Sequence, residues 1–315
     1  FSMITSLFKN TILSYLFIVL VSIALWGFAF FNEDPNSLVS LSFAGESYQL
    51  SKQIAIIISF FATLISGFFL NNRINKYLFS YEPNNLFLFF YLCFFSIELS
   101  NSSFLVYDVV SFLLIIFVHY LLSFVTNKNS VNQVFNSAFI IGVLCFQNIF
   151  FILFLLLLIQ NLSTTKRVGV SEIALILTGF VIPIFLVLSL SILTDNFHII
   201  GTLWDFDFSL PQVSWRYGIF LAVATFFSVL GYQYSLNKRS GTDIGTLLLV
   251  KNLFVYLLVS LAIGAGSIFL FPQYYVVFLI TLPLSIFISF FLLESTSKWK
   301  ELAFVLIIAL TFLMR

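Results

Sequence analysis

The chain has 315 residues, of which 61% are hydrophobic and 9% charged, with a mean hydropathy of +1.09 and a formal net charge of +1 at pH 7. A soluble globular domain is about 25% charged, so this composition excludes a soluble protein. Continuous apolar runs exclude an outer-membrane β-barrel, whose strands alternate over about 10 residues. The composition predicts an all-α polytopic transmembrane bundle, and the net charge gives no reason to expect a nucleic-acid partner.

The apolar runs follow one another along the whole chain, which predicts a single transmembrane domain over residues 1–315 with no separate soluble domain. The polar stretch after the first run alternates as Ser-Leu-Val-Ser-Leu-Ser-Phe, which fits either a surface strand or an interfacial segment. Since a span needs about 20 residues, about nine full or near-full spans are predicted. They are Thr11–Phe31, Ile54–Leu70, Leu86–Leu99, Phe104–Val125, Glu172–Leu193, Tyr217–Tyr234, Leu247–Phe271, Tyr274–Leu293 and Leu302–Met314.

The run Val134–Leu162 is uncharged, and it is too long for one upright span of about 20 residues but too short for two. Its middle is polar, with Gln147 and Asn148 at its centre. An unpaired amide in hydrocarbon costs roughly 2–7 kcal/mol, so these side chains need partners. The pattern predicts a hairpin of two half-length helices that turns near Gln147 and Asn148 inside the protein.

The basic residues predict the orientation, because lysine and arginine collect on the cytoplasmic side of membrane proteins. With the N-terminus inside, only Lys52, Arg216 and Arg315 lie outside. This distribution requires Val134–Leu162 to enter and leave on the same side, so it supports the hairpin. The expected location is a bacterial inner membrane with a cytoplasmic N-terminus. The basic residues then expected inside are Lys9, Arg73, Lys76, Lys128, Lys166, Arg167, Lys238, Arg239, Lys298 and Lys300.

Eight of the thirteen acidic residues fall on the opposite, outer side in this topology. They can form a carboxylate-rich site under the outer loops, or they can simply be solvated in those loops. Asp108 lies near the outer end of an apolar span, where a charge indicates a partner or a wet cavity unless the residue merely starts a helix at the interface. The outer set comprises Glu33, Asp34, Glu46, Glu98, Asp108, Asp195, Asp205 and Asp207, with His198 among them.

The sequence gives no reason to expect a metal or a cofactor. Cys93 and Cys145 both lie inside apolar runs, and the chain has two histidines. His119 follows Asp108 along the same span by about three turns, and a lone histidine of this kind usually serves packing. Phosphate-binding, dinucleotide-binding and nucleophile-elbow motifs are absent from the sequence.

Two stretches carry a resemblance to a known family. One is MITSLFK at positions 3–9, and the other is VFNSAFIIGVLCFQNIFFILFLLLLIQNL at 134–162, followed by Lys166-Arg167 and SEIALILTGFVIPIFL. They resemble an uncharacterised family of Bacteroidota multi-pass inner-membrane proteins. That family is sometimes labelled as a carotene oxygenase, a chemistry that needs more iron-binding histidines than the two present here. The resemblance implies no reaction and assigns no functional residue.

The architecture is also similar to that of membrane glycosyltransferases that use polyprenyl-linked sugars. Those enzymes start inside, place an acid in the first outer loop and interleave full spans with half-length helices. The likeness implies Asp34 or Asp108 as catalytic candidates, and it implies four further residues as candidates for substrate binding. These four are Glu33, Asp205, Asp207 and Arg216.

Three functions remain open. The leading hypothesis is a non-catalytic multi-pass subunit or assembly factor of an inner-membrane envelope complex, with membrane lipid and other inner-membrane proteins as partners. The second is a glycosyltransferase-like enzyme that uses a polyprenyl-linked sugar at the outer face, so enzyme activity is left open. The third is a lipid or small-molecule transporter, which would normally pair broken helices across an internal repeat. A groove that opens to lipid and reaches Asp34 or Asp108 would favour the enzyme.

Overall fold

The computed structural model describes residues 7–9, 11–32, 38–43, 46–78, 83–100, 104–124, 131–165, 169–193, 215–239, 244–270, 277–295 and 299–314. In these ranges the chain is helical except for one two-stranded sheet and short connections. The sheet consists of β1 (Leu38–Phe43) and β2 (Glu46–Ser51). The helices are α1 (Ile12–Asn32), α2 (Lys52–Tyr77), α3 (Leu86–Phe95), α4 (Phe104–Phe124), α5 (Val131–Leu144), α6 (Leu153–Thr165), α7 (Val170–Leu193), α8 (Trp215–Arg239), α9 (Ile244–Leu270), α10 (Val277–Glu294) and α11 (Lys300–Leu313).

Six helices in the described ranges are long and apolar enough to cross a membrane, namely α1, α2, α4, α7, α8 and α9. This confirms the all-α, multi-span membrane class. The other three predicted spans correspond to α3, α10 and α11, whose apolar helical parts are shorter, so nine crossings stay a prediction. With 10 residues, α3 is about 15 Å long, half of a hydrocarbon core of about 30 Å.

The alternating stretch between α1 and α2 forms a strand, the first of the two alternatives that the sequence left open. β1 pairs antiparallel with β2, from Leu38 opposite Ser51 to Phe43 opposite Glu46. Ser51 then starts α2, where its side chain accepts a hydrogen bond from the Ile54 amide at 3.4 Å. This β-hairpin therefore joins α1 and α2 at one end of the bundle.

The core is built around α3, whose ten residues are all buried. Its contacts with α2 show that the two helices run in opposite directions. The hydroxyls of Ser66 and Tyr91 are 3.3 Å apart, and the Asn71 side-chain amide donates to Asn85 Oδ1 at 2.9 Å. Asn85 donates in turn to Ser14 Oγ of α1 at 3.1 Å. Polar bonds therefore fix this short apolar helix between two long ones.

A buried ion pair fixes the opposite end of the bundle, here called the clamp end. The Arg239 guanidinium at the end of α8 pairs with Glu294 at the end of α10, with N···O distances of 2.7 and 2.9 Å. The same guanidinium donates to the Leu78 carbonyl oxygen at 3.0 Å, just after α2. It also lies 4.7 Å from the ring centre of Phe290. Three helices consequently end at the same level.

The stretch Val134–Leu162 is broken after Leu144, and a short 3-10 turn (Ile149–Ile152) precedes α6. At the break the Asn148 amide donates to the Leu144 carbonyl at 3.2 Å, and its Oδ1 accepts from the Phe150 amide at 2.9 Å. Asn148 is buried and Gln147 half-buried. The local chain thus provides hydrogen-bond partners for the backbone that the break leaves free.

Helix α7 packs along α5 in the same direction. Gly179 of α7 lies against the Phe135 carbonyl of α5, and further along both helices Gly142 lies against the Phe180 carbonyl and Pro183. Because α5 and α7 run in the same direction, the chain must reverse its direction twice between them. If one reversal lies between α6 and α7, before Val170, the other lies at the break between α5 and α6. The depth of this hairpin in a membrane stays a prediction.

Candidate functional site

Asp108 of α4 faces α2 with its carboxylate. Helix α4 runs parallel to α2, because Thr63 contacts Asp108 while further on the ring of Phe69 lies 5.7 Å from that of His119. The Thr63 hydroxyl donates to Asp108 Oδ1 at 3.0 Å. Asp108 is 8% exposed although it lies only about one turn from the start of its helix. The carboxylate is therefore part of the helix interface rather than of a solvated loop.

Further polar contacts connect the three helices α2, α3 and α4 next to this carboxylate. The Ser66 hydroxyl donates to the Thr63 carbonyl at 3.0 Å and lies 3.3 Å from the Tyr91 hydroxyl of α3. The Tyr91 hydroxyl lies 2.9 Å from Ser111 Oγ, one turn beyond Asp108 on α4. All of these side chains are buried. These contacts link α2, α3 and α4 inside an otherwise apolar core.

Part of this cluster has no hydrogen-bond partner. Asp108 Oδ2 and Ser59 Oγ are both buried without one. Within the described residues, no arginine or lysine forms an ion pair with Asp108. Such a carboxylate can accept a further donor or exchange a proton. In the same ranges, no three histidine, cysteine or acidic side chains come together to hold a metal ion.

His119 lies on the same helix but apart from this cluster. Eleven positions separate it from Asp108, which is about 16 Å along α4. Its Nδ1 has no partner, and its ring packs against Phe69 and Tyr120. The structure therefore does not bring the histidine and the carboxylate together.

Most of the other predicted site residues fall outside the described ranges. This holds for Glu33, Asp34, Asp205 and Asp207, so their proximity to Asp108 stays a prediction. Arg216 is described and exposed in the first turn of α8, where its guanidinium lies 5.8 Å from the Trp215 ring centre.

A second feature is an apolar groove between α1 and α2, which we call the Trp26 groove. It has a volume of about 230 Å³. Next to Trp26, a side chain added at Gly27 would meet no atom within 4 Å, so the groove is open there. The sequence contains one indication of this groove, namely a glycine next to a tryptophan inside a span. The groove lies between Ile23, Trp26 and Phe30 of α1 and Ile56, Phe60 and Phe61 of α2.

Helix α2 carries side chains of both features. Ile56 and Phe60 line the groove, and Thr63, three residues after Phe60 on the adjoining turn, donates to the Asp108 carboxylate. Asp108 does not line the groove. The two features consequently share one wall but do not form a common site.

Comparison of the chain with protein-family models, with curated proteins and with solved structures gave no match.

Proposed function

We propose that the protein is a non-catalytic multi-pass subunit or assembly factor of an inner-membrane envelope complex. The observation that carries this proposal is the surface of α7. Four of its 24 residues are buried, namely Ile176, Gly179, Pro183 and Ser191. The helix is attached closely to α5 through glycines, and the rest of its length presents large apolar side chains outward. Because α7 lies at the edge of the bundle, its exposed apolar face can pack against another membrane helix.

The polar contacts described above support the same proposal. The Arg239–Glu294 pair and the Asn71–Asn85 bond each join helices of this chain to one another. Another such bond runs from the Asn252 side-chain amide of α9 to Asn161 Oδ1 of α6 at 2.9 Å. These side chains act as structural cross-links. Asp108 is the exception, and it does not line the Trp26 groove.

Site-specific photo-crosslinking tests the subunit proposal. A photoreactive residue replaces Leu186 on the outer face of α7, and the matched control replaces Ile65, which is 62% exposed on α2 compared with 50% for Leu186. We expect one discrete protein adduct in intact membranes from position 186, and we expect that protein to co-purify in constant ratio with the unmodified chain. Lipid adducts alone at both positions would contradict the proposal.

The cytoplasmic N-terminus is part of the proposal, and the distribution of charge supports it. Arg73 and Lys76 lie in the last turns of α2, at the clamp end where Lys238 and Arg239 also lie. The positive-inside rule assigns such an end to the cytoplasm. In a chain whose two cysteines are replaced by alanine, we expect an impermeant thiol reagent added from outside to label Gln49→Cys and to spare Lys238→Cys. The opposite labelling would reverse the orientation.

A second candidate is the enzyme that uses a polyprenyl-linked sugar. The Trp26 groove favours it, because Phe30 on its wall lies three residues before Glu33 and four before Asp34. Asp34→Asn should then abolish activity in the cell at an unchanged protein level, whereas Asp34→Glu should retain part of it. Full function of Asp34→Asn would remove this candidate.

A further inference from the structure

We propose that Arg73 and His119 bind the phosphate of an anionic phospholipid at the clamp end, in the seam between α2 and α4, with Lys76 beside them. This site does not depend on the proposed function. Exposed side chains recur along these two parallel helices every three, four or seven residues, so each helix turns one stripe away from the core. The stripes include Ile65, Phe69 and Lys76 on α2, and Val109, Phe112 and the half-buried His119 on α4.

The two basic side chains meet at the exposed ring of Phe69. The guanidinium carbon of Arg73 lies 5.4 Å from the centre of this ring, and the centre of the His119 ring lies 5.7 Å from it. Arg73 follows Phe69 by one turn, and side chains of a helix lean toward its N-terminus. The guanidinium keeps this inward direction, whereas basic side chains near the end of a span commonly extend to the interface. A positive charge is therefore held beside an imidazole on the lipid-facing side of the bundle.

No acidic side chain neutralises this charge. Within the described residues, no ion pair involves Arg73, Lys76 or His119, and Glu294 at the same end is paired with Arg239. Arg73 and Lys76, three residues apart on one helix, repel each other unless an anion lies nearby. The Nδ1 atom of His119 is buried without a partner, so Nε2, in the exposed part of the ring, is the nitrogen that a ligand reaches. The seam therefore presents donors to an anion.

The depth of the seam indicates a lipid phosphate. Lys52 and Arg73 bound the uncharged part of α2, and the distance between them along the helix is about 32 Å, close to a hydrocarbon core of about 30 Å. Arg73 therefore lies at the border of the hydrocarbon, where the headgroups begin. Guanidinium groups bind phosphate oxygens through paired N–H groups, and basic pockets between membrane helices bind anionic headgroups. A phospholipid provides the charge for Arg73 and an acyl chain for Phe69, whereas inorganic phosphate provides the charge alone.

The first test measures lipid preference. The full-length protein, stripped of lipid in mild detergent, is offered equal amounts of phosphatidylglycerol and phosphatidylcholine with the same acyl chains, and native mass spectrometry measures which lipid is retained. We expect the wild-type protein to prefer phosphatidylglycerol about fivefold or more. Arg73→Gln should lower the retention of phosphatidylglycerol about tenfold, the usual effect of losing a hydrogen bond to a charged group.

The matched control for this test is Lys238→Gln. Lys238 is exposed at the same end of the bundle, so its replacement removes the same charge from outside the seam. We expect Lys238→Gln to retain phosphatidylglycerol as the wild-type protein does.

The second test determines whether His119 binds the same phosphate. His119→Phe keeps an aromatic ring against Phe69 but removes both ring nitrogens, and we expect it to lower the retention of phosphatidylglycerol about three- to tenfold. If both side chains hold one phosphate, the loss in the Arg73→Gln, His119→Phe double variant should be smaller than the product of the two single losses. If Arg73→Gln does not fold, the comparison of His119→Phe with Lys238→Gln still decides.

Three outcomes would overturn the proposal. One is equal retention of the two lipids by the wild-type protein. Another is an equal loss of phosphatidylglycerol in Arg73→Gln and Lys238→Gln, which would assign retention to the overall charge of the clamp end. The last is displacement of bound phosphatidylglycerol by inorganic phosphate at equal concentration, which would assign the seam to a free anion.

Discussion

Helices α3 and α7 are similar in sequence and opposite in environment. Both are runs of aliphatic and aromatic residues, and α7 has one charged residue, Glu172, in its first turn. All ten residues of α3 are buried, whereas four of the 24 residues of α7 are. An apolar run therefore favours transfer of a segment out of water, but it does not determine whether the segment packs against protein or against lipid. The length of the helix and the polar residues beside it determine which of the two surrounds it.

The two helices differ first in length. The ten residues of α3 and the 3-10 helix Ser96–Ser100 that continues it together span about 25 Å, less than a hydrocarbon core of about 30 Å, so the free backbone groups at its start must be satisfied by protein. At this start Asn84 Oδ1 accepts from the Leu86 amide at 3.2 Å, and the Asn85 backbone amide donates to the Phe8 carbonyl at 2.8 Å. Helix α7, with 24 residues, spans about 36 Å and can face lipid throughout.

The largest effect is expected at the clamp end, which anchors the helices around α3. Arg239→Leu leaves Glu294 buried without its partner, so we expect the free energy of unfolding to fall by about 3–5 kcal/mol, as measured by steric trapping in bicelles. Combining it with Glu294→Leu should recover most of this loss, because neither charge then remains buried. Lys238→Leu, one residue away and exposed, is the control. An Arg239→Leu protein as stable as the control would refute the clamp.

The second prediction compares the two helices directly. Leu88→Ala in α3 removes a fully buried side chain, and we expect a loss of about 2–5 kcal/mol. Leu186→Ala in α7 removes one that is 50% exposed, and we expect a change within about ±0.5 kcal/mol. Equal losses in isolated protein would mean that α7 is as deeply packed as α3.

The third prediction uses glycines at the two kinds of interface. An alanine Cβ at Gly231 of α8 would clash with the Phe287 carbonyl oxygen of α10, and one at Gly142 would lie 2.5 Å from the Phe180 carbonyl oxygen of α7. Since backbone cannot move aside easily, each change should cost about 1–3 kcal/mol.

The two glycine variants should differ in which part of the protein loses stability. Gly231→Ala should lower the stability of the whole bundle, whereas Gly142→Ala should mainly loosen α7, seen as faster proteolysis or hydrogen exchange in that helix alone. Gly218→Ala, with open space around it, is the control. Global destabilisation by Gly142→Ala would show that α7 is an integral part of the core.

The smallest effect is expected for the polar anchor of α3. Asn85→Leu removes the bonds to Asn71 and Ser14, and side-chain hydrogen bonds in membrane proteins average about 0.6 kcal/mol with a maximum near 1.7. We therefore expect a loss of about 1–2 kcal/mol in the same unfolding assay. Asn132→Leu, an exposed asparagine on α5, should have no comparable effect.

The sequence predicted where the helices lie along the chain better than it predicted which helices pack against each other. The apolar runs predicted every helix in the described ranges, because hydrocarbon forces backbone groups to bond within the segment. Most ends agree within a few residues, but α2 runs seven residues past the predicted Leu70 and α8 five past the predicted Tyr234. Gln147 and Asn148 drew attention to the place where the structure interrupts the helix. The number of crossings did not follow, because a short run such as Leu86–Leu99 looks the same inside a protein as in lipid.

The contacts between distant residues could not be predicted. Arg239 and Glu294 are separated by 55 positions and each reads as a loop boundary, so their pairing depends on where α8 and α10 end in space. Asp108 was noticed as a charge in an apolar span, but its neighbours Ser59 and Thr63 are ordinary small residues of another span. The Trp26 groove depends on how closely α1 approaches α2, which no spacing rule gives.

The position of Phe8 has a consequence for the order of biogenesis. Its ring lies between Phe89 of α3 and Phe304 of α11, with centroids 4.9 and 5.8 Å away, and its carbonyl accepts from the Asn85 amide at 2.8 Å. Because Phe8 is made before α11, its contact with Phe304 waits until α11 has left the ribosome. Until then, the surfaces of Phe8 and Phe89 that face Phe304 are uncovered in the nascent chain. Insertion of α11, rather than of any earlier span, completes this aromatic cluster.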